Sequence, residues 1–242
     1  MELRKVVDKL RKKGELVEVK DEKSRSFDFA FVEDRAYLIK MVGNADSLNK
    51  DNLEAFKKCA SVVGAEPMVI SKKFKEKLAK GVVYQRYGVP VMGGETFLEY
   101  LKDKHIAVAD RGCVKVPIEH LREAMESHNM SRNLLAERLE VTPEMVRRYE
   151  EGQATPSKDV AVKLEEILGK DIFKEVYFGV EQKERAFIGQ GPFEVAFKKS
   201  KGTFLVSLKD HKARIRNLEK VADVLGAEPV VAKGKNLKDL GL

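Results

Sequence analysis

The 242-residue sequence has no tryptophan, two cysteines and four histidines. Cys59 and Cys113 lie far apart without Cys-x-x-Cys spacing, and His105, His120, His128 and His211 are scattered. That excludes a disulfide framework and leaves no zinc-ligand spacing. No stretch approaches the 18 or so consecutive apolar residues of a membrane span, and Met1-Glu2-Leu3-Arg4-Lys5 lacks the apolar core of a signal peptide. The expectation is a cytoplasmic chain with no membrane partner. Neither a Gly-x-Gly-x-x-Gly fingerprint nor a phosphate-binding P-loop occurs, so no cofactor and no metal are expected, and a small-molecule effector is left open.

What is present excludes global disorder: 43% hydrophobic residues can form real cores beneath a surface to which 35% charged residues contribute. The length suits about two compact units, or three if one is small. Lys plus Arg exceed Asp plus Glu by 46 to 39, and the excess is uneven. Residues 1–116 carry 24 basic and 18 acidic side chains, residues 117–172 carry 8 and 12, and residues 173–242 carry 14 and 9. Basic flanks enclose an acidic middle. A basic excess commonly accompanies nucleic-acid binding.

The two ends repeat each other. Phe27-Asp28-Phe29-Ala30-Phe31 followed by Tyr37-Leu38-Ile39 is echoed by Phe193-Glu194-Val195-Ala196-Phe197 followed by Phe204-Leu205-Val206. Each pair reads as a hairpin and leads into a helical stretch that ends in Gly-Ala-Glu-Pro, at 64–67 and 226–229. Glycine closes a helix and proline leads into a strand, so the pattern predicts two β-β-α-β units, at about 27–71 and 193–233. The first has an additional N-terminal helix (Leu3, Val6, Val7, Leu10), strands at Val82–Tyr84 and Tyr87–Val91, and a helix from Glu95 to Leu101. Residues 105–116 read as two short strands turning at Asp110-Arg111-Gly112.

From Pro117 to Phe173 apolar residues recur at spacings of three and four, among them Leu121, Met125, Leu134, Leu135, Leu139, Val146, Val160, Val162 and Leu164. These predict short amphipathic helices around one small core. Ser131 and Thr142 suit helix N-caps and Pro143 a first helical turn. With two residues between Leu139 and Thr142, two helices meet across a tight turn.

The run from Ser131 to Gly152 resembles the Cro/repressor-type (XRE) helix-turn-helix. Ala136 sits at the small position between the helices, Val141 and Val146 at core positions, and Glu150 and Gly152 at the end of the recognition helix. Glu140 stands where glycine is usual in that family. The resemblance implies that the helix starting near Thr142 enters the major groove and presents Pro143, Glu144, Arg147 and Arg148 to base edges, with Met145 at a thymine methyl or in the core. Arg132, with Ser131 and Asn133, falls where that family contacts the phosphate backbone. A solvated helix face is the plainer reading of Arg147 and Arg148.

The first flanking unit also resembles the PD-(D/E)xK nuclease fold, in which two acids hold Mg²⁺ and a lysine polarises water. Asp28 matches the first acid and Lys40 the lysine, while Leu38 stands in place of the second acid. In the second unit Glu194 replaces the first acid and Ser207 the lysine. Glu33, Asp34, Asp51 or Glu54 could supply a displaced ligand only from a turn or the helix side. Both units therefore read as nuclease-like folds with vestigial sites at Asp28, Leu38 and Lys40, and no catalytic residue is assigned. Taken together, the arrangement resembles archaeal HTH-type transcriptional regulators.

The expectation is an α+β multidomain protein in which a central all-α helix-turn-helix is flanked by α/β nuclease-like units. The divisions fall at 1–104, a hairpin at 105–116, the helix-turn-helix at 117–173 and a shorter unit at 174–242. The expected function is sequence-specific binding of double-stranded DNA as a homodimeric transcription regulator. Alternatives are a metal-dependent nuclease guided by the helix-turn-helix and an antitoxin-like interaction scaffold. The cluster Lys198, Lys199, Lys201, Lys209, Lys212, Arg214 and Arg216 is expected to add basic surface, and the phrase Tyr84 to Pro90 either presents aromatic and basic groups or forms a strand and turn.

Overall fold

The computed structural model describes residues 3–19, 26–110, 113–180, 186–189, 193–200 and 202–233. In chain order they form α1 (Leu3–Leu10), β1 (Glu15–Glu18), β2 (Phe29–Val32), β3 (Ala36–Asn44), α2 (Lys50–Val63), β4 (Glu66–Phe74), β5 (Glu76–Lys77), β6 (Val82–Arg86), β7 (Val89–Met92), α3 (Gly94–Lys102), β8 (Ala107–Asp110) and β9 (Cys113–Lys115). Next come α4 (Leu121–Ser127), α5 (Arg132–Leu139), α6 (Pro143–Glu150), α7 (Lys158–Leu168), β10 (Ala186–Ile188), β11 (Val195–Lys199), β12 (Gly202–Ser207), α8 (Lys212–Val224) and β13 (Glu228–Val231). No helix among the described residues is long and apolar enough to cross a membrane.

Contacts divide the chain into two compact units that do not follow chain order: 1–78, 86–94 and 178–242 make the first, and 79–85 with 95–177 the second. In the first unit β1, β2 and β3 pair antiparallel, and β4 joins β3 in parallel after α2, with Leu38 beside Pro67 and Lys40 beside Val69. The same path recurs in β11, β12, α8 and β13, where β12 and β13 pair in parallel with Leu205 beside Pro229.

The repeated Gly-Ala-Glu-Pro phrase has one physical cause in both copies. Gly64 (φ 74°) and Gly226 (φ 61°) take the left-handed conformation that ends a helix, and the next amide, Ala65 or Ala227, donates back to Ala60 or Ala222. The third residue then diverges. Glu66 is buried and accepts from Arg35 (3.2 Å) and from the backbone N–H of Phe178 (3.0 Å), which fastens the returning chain, whereas Glu228 is exposed.

The two copies pack on each other within the first unit. Helix α2 lies against β10 and β11, and α8 lies against β1 and β2. At the centre Phe27 and Phe193, each fully buried, bring their ring centroids to 6.1 Å. Arg214 is therefore not part of a basic surface. It is only 9% exposed and reaches inward. Lys201 of the same cluster lies outside the described residues, as do Arg111 and Gly112 of the expected hairpin turn.

Arg86 in the Tyr84 to Pro90 phrase is likewise engaged. Its guanidinium donates to the carbonyls of Leu48 (2.8 Å) and Asp46 (2.9 Å) and lies over the ring of Tyr87. Tyr87 and Gly88, both at positive φ, form a tight turn.

The second unit combines β6, β8 and β9 with the helices. β6 pairs parallel to β8, and β8 antiparallel to β9. Helices α4 to α7 enclose a core of Leu121, Met125, Leu135, Ala136, Leu139, Val146, Tyr149, Ala161, Leu164 and Leu168. Two residues of the apolar pattern fall outside it: Leu134 is 39% and Val162 49% exposed. Each stands beside a better-placed residue, and a helix of 8 to 11 residues has room for only one buried stripe.

Candidate nucleic-acid interface

Helices α5 and α6 start as their sequences dictate. The Ser131 hydroxyl oxygen accepts from the N–H of Leu134 (3.2 Å) and that of Thr142 from Met145 (3.2 Å), while Pro143 opens α6 where a helix has no use for its missing donor. Between the helices Glu140 adopts φ 58° and ψ 41°, the left-handed cap that glycine fills at no steric cost. Its carboxylate reaches Lys163 at 2.8 Å, and that bond holds it below the usual carboxylate range. Ala136, 1% exposed, lets the helices approach closely.

Helix α6 turns Val146 and Tyr149 into the core and Pro143, Glu144 and Arg148 to solvent. Met145 is half-buried and packs on the core cluster. Arg147 is held from both sides: Nε and Nη2 donate to the two Glu144 oxygens (2.9 and 2.6 Å), and Nη1 to both Glu151 oxygens (2.8 and 2.9 Å). The bond from Arg147 holds the Glu144 carboxyl below its ordinary range. Two carboxylates thus surround the Arg147 charge, while Arg148, one residue on, has no ion pair among the described residues. The Glu-x-x-Arg-x-x-x-Glu spacing, with partners three and four residues away on one helix, encodes this clamp in the sequence.

At the start of α5, Arg132 donates through Nε to Glu150 at 2.6 Å. The Glu150 side chain is 3% exposed, so this pair ties the entry of α5 to the end of α6, and the Arg132 side chain remains 45% exposed. Asn133 is exposed beside it. The structure thus brings Ser131, Arg132 and Asn133 together at one helix start, and Thr142, Pro143, Glu144, Arg147 and Arg148 along another.

The second constellation lies in the first unit. Asp28 is 7% exposed. Its Oδ2 accepts from the N–H of Met41 (2.7 Å), and its Oδ1 is 3.5 Å from the Lys40 ammonium. Leu38 is fully buried. Glu33 pairs with Lys13 and Glu54 with Lys50, so neither is aimed at Asp28.

The second copy preserves this geometry with other residues. Glu194 accepts from Leu208 N–H at 2.9 Å, as Asp28 does from Met41. The cation comes from the helix: Arg214 Nη2 lies 2.7 Å from Glu194 Oε1 in a largely buried ion pair, and its Nε donates to Ser207 Oγ at 3.1 Å. Sequence comparison finds Ser207 at the lysine position and misses Arg214, which arrives from another element.

A metal ion, which the nuclease fold implies, does not fit the Asp28 site. Mg²⁺ takes near-octahedral oxygen ligation, and here a single carboxylate already has one oxygen on an amide and the other beside an ammonium. No group of three His, Cys, Asp or Glu among the described residues is placed to hold a metal.

Comparison with known proteins identifies two domains in the chain. Residues 2–106 match the PD-(D/E)XK superfamily domain and residues 121–174 the helix-turn-helix family. The chain is 36% identical over 167 residues to a protein of Archaeoglobus fulgidus, covering 66% of this chain and 54% of that one. It is 34% identical over 175 residues to one of Thermococcus kodakarensis (69% and 54%) and 34% over 154 residues to one of Methanocaldococcus jannaschii (60% and 48%). All three carry the name "Putative HTH-type transcriptional regulatory protein". The chain spans about half the length of these curated relatives. No solved structure gives a significant match.

Proposed function

We propose that this chain, which carries a PD-(D/E)XK superfamily domain and a helix-turn-helix domain, is a transcription regulator that binds double-stranded DNA and has no nuclease activity. The observation that carries the reading is α6: a helix capped by Thr142, opened by Pro143 and packed on α5 through Ala136, with Glu144, Arg147 and Arg148 on its outer side. In helix-turn-helix proteins the second helix lies in the major groove with its N-terminal residues at base edges. Arginine pairs bidentately with guanine, and glutamate accepts from cytosine N4. Ser131, Arg132 and Asn133 meet phosphates at the start of α5. The Ser131 oxygen accepts the cap bond and leaves its hydroxyl hydrogen free to donate outward.

The unit works as a homodimer in this reading. One helix-turn-helix covers too little DNA for high specificity, whereas two related by a two-fold axis read half-sites about 10 bp apart or a multiple of that. The face between the two repeats is already occupied inside the chain at Phe27 and Phe193, so the pairing of chains uses another surface. The basic flanks supply phosphate attraction that the acidic middle lacks.

Leu38 supports the non-enzymatic reading, because an aliphatic side chain occupies the place of a metal carboxylate. The test is equilibrium binding to a duplex selected from random sequence. Loss of discrimination between that duplex and a scrambled one on Arg147→Ala, Arg148→Ala is expected. Undiminished discrimination would overturn the role of α6 and favour a protein-interaction role.

A further inference from the structure

Between α8 and β1, inside the first unit, lies a cavity of about 370 Å³ lined by Arg11, Leu16, Val17, Glu18, Ala213, Arg216, Asn217 and Lys220. The residues from α8 stand at spacings of three and four, so one face of the helix forms one wall. Three of the lining side chains are cationic and one is a carboxylate. Arg11 lies 3.6 Å from Glu18 and 4.0 Å from Asp8, with its side chain 53% exposed. Arg216 and Lys220, one helical turn apart, are exposed, and neither has a protein partner among the described residues. Like charges at that spacing disfavour a helix unless something neutralises them. Ala213 contributes only a methyl group on the helix side, and β1 from Leu16 to Glu18 forms the opposite wall.

We propose that this cavity binds a phosphate group, carried by a small organic ligand of about mononucleotide size. Arg216 and Lys220 receive the phosphate from the helix side and Arg11 from the end of α1. An arginine offers a planar fork to phosphate oxygens and a lysine a point charge, a combination suited to a compact dianion. The β1 wall and Ala213 meet the organic part, and Glu18 accepts from its hydroxyl or amino groups. The volume falls within the range of small-ligand sites. DNA backbone phosphate offers the same chemistry, but in a cavity walled on one side by a helix and on the other by a strand, a compact ligand is enclosed better than a duplex. The proposal is independent of what α6 reads.

The experiment is isothermal titration of the full chain at about 50 mM salt with adenosine 5′-monophosphate, inorganic phosphate, adenosine and a 12-bp duplex of scrambled sequence. The expected result is binding of the nucleotide and of phosphate, no binding of adenosine, and a roughly tenfold loss for both anions in Arg216→Ala, Lys220→Ala. Both side chains are exposed, so the variant should keep the wild-type Tm. Glu18→Gln, which removes the one carboxylate, should tighten phosphate binding several-fold. Scrambled duplex binding that is lost in the same variant, with no nucleotide binding, would assign the phosphate site to the DNA backbone and overturn the small-ligand source. Anion binding that neither variant alters, or no anion binding at all, would overturn the site.

Discussion

Phe27 and Phe193 occupy the same position in two copies of one β-β-α-β path, and their rings meet each other at 6.1 Å with an interplanar angle of 45°. Each copy places its helix on the strands of the other, α2 on β10 and β11 and α8 on β1 and β2. Residues at the centre of such an exchange face their own counterparts, as residues on a dimer axis do. Phe187 meets Phe193 edge-on at 6.4 Å and extends the aromatic contact into the second copy.

Truncating either ring should therefore loosen both copies. Phe27→Ala or Phe193→Ala is expected to cost about 3–5 kcal/mol. The double variant should cost less than the sum by roughly 0.5–1.5 kcal/mol, because the second truncation removes a contact already lost. Urea unfolding measures this, and strict additivity would contradict a shared contact.

The buried pair of Arg214 and Glu194 gives a second prediction. Arg214→Ala leaves Glu194 without its cation, and the expected loss is about 3–5 kcal/mol. Arg214→Met with Glu194→Gln should recover much of it, since breaking such a pair costs more than replacing it. A single variant as stable as the parent would show that the pair has no structural role.

Glu140 stands in a conformation that costs a residue with a side chain and costs glycine nothing. Glu140→Gly relieves that strain while giving up the exposed bond to Lys163. The expected net effect is a rise in Tm of about 2–4 °C in a thermal melt. A fall would mean that the Lys163 bond outweighs the backbone term.

These positions show where the sequence was informative. The repeat could be read because Gly64 and Gly226 end helices by local backbone geometry, and Ser131, Thr142 and Pro143 mark helix starts for the same kind of reason. Leu38 was visible as a missing carboxylate. Arg214 was not, because the lysine it replaces sits on a strand and the compensating cation comes from a helix. Nor could the sequence say that α8 would lie on β1 and create the cavity around Arg216 and Lys220, since that contact joins residues about 200 positions apart. Leu134 and Val162 fit the apolar period and still face solvent, because periodicity in a short helix does not choose between adjacent apolar residues.

If α6 reads DNA as proposed, the clamp on Arg147 predicts different roles for its two arginines. Glu151→Gln removes a carboxylate that would compete with DNA for Arg147 in that reading, and it lowers the negative charge of the face. Affinity for DNA should rise several-fold at low salt, and the gain should shrink as salt screens the charge. Arg148→Ala, lacking such a competitor, should weaken binding by roughly tenfold. Anisotropy titrations at two salt concentrations check both. Weaker binding by Glu151→Gln would mean that the clamp presents Arg147 to DNA and does not restrain it.

The account rests on α6 reading DNA while the nuclease-like units do not cut it. The most direct measurement is selection of bound duplexes from a random library at about 150 mM salt with Mg²⁺ present, scoring enrichment and cleavage together, beside the Arg147→Ala, Arg148→Ala variant. The account predicts a palindromic motif, no cleavage, and loss of the motif in the variant. Cut products that persist in that variant and vanish on Asp28→Ala would contradict it, and would return the catalytic role to the PD-(D/E)XK unit.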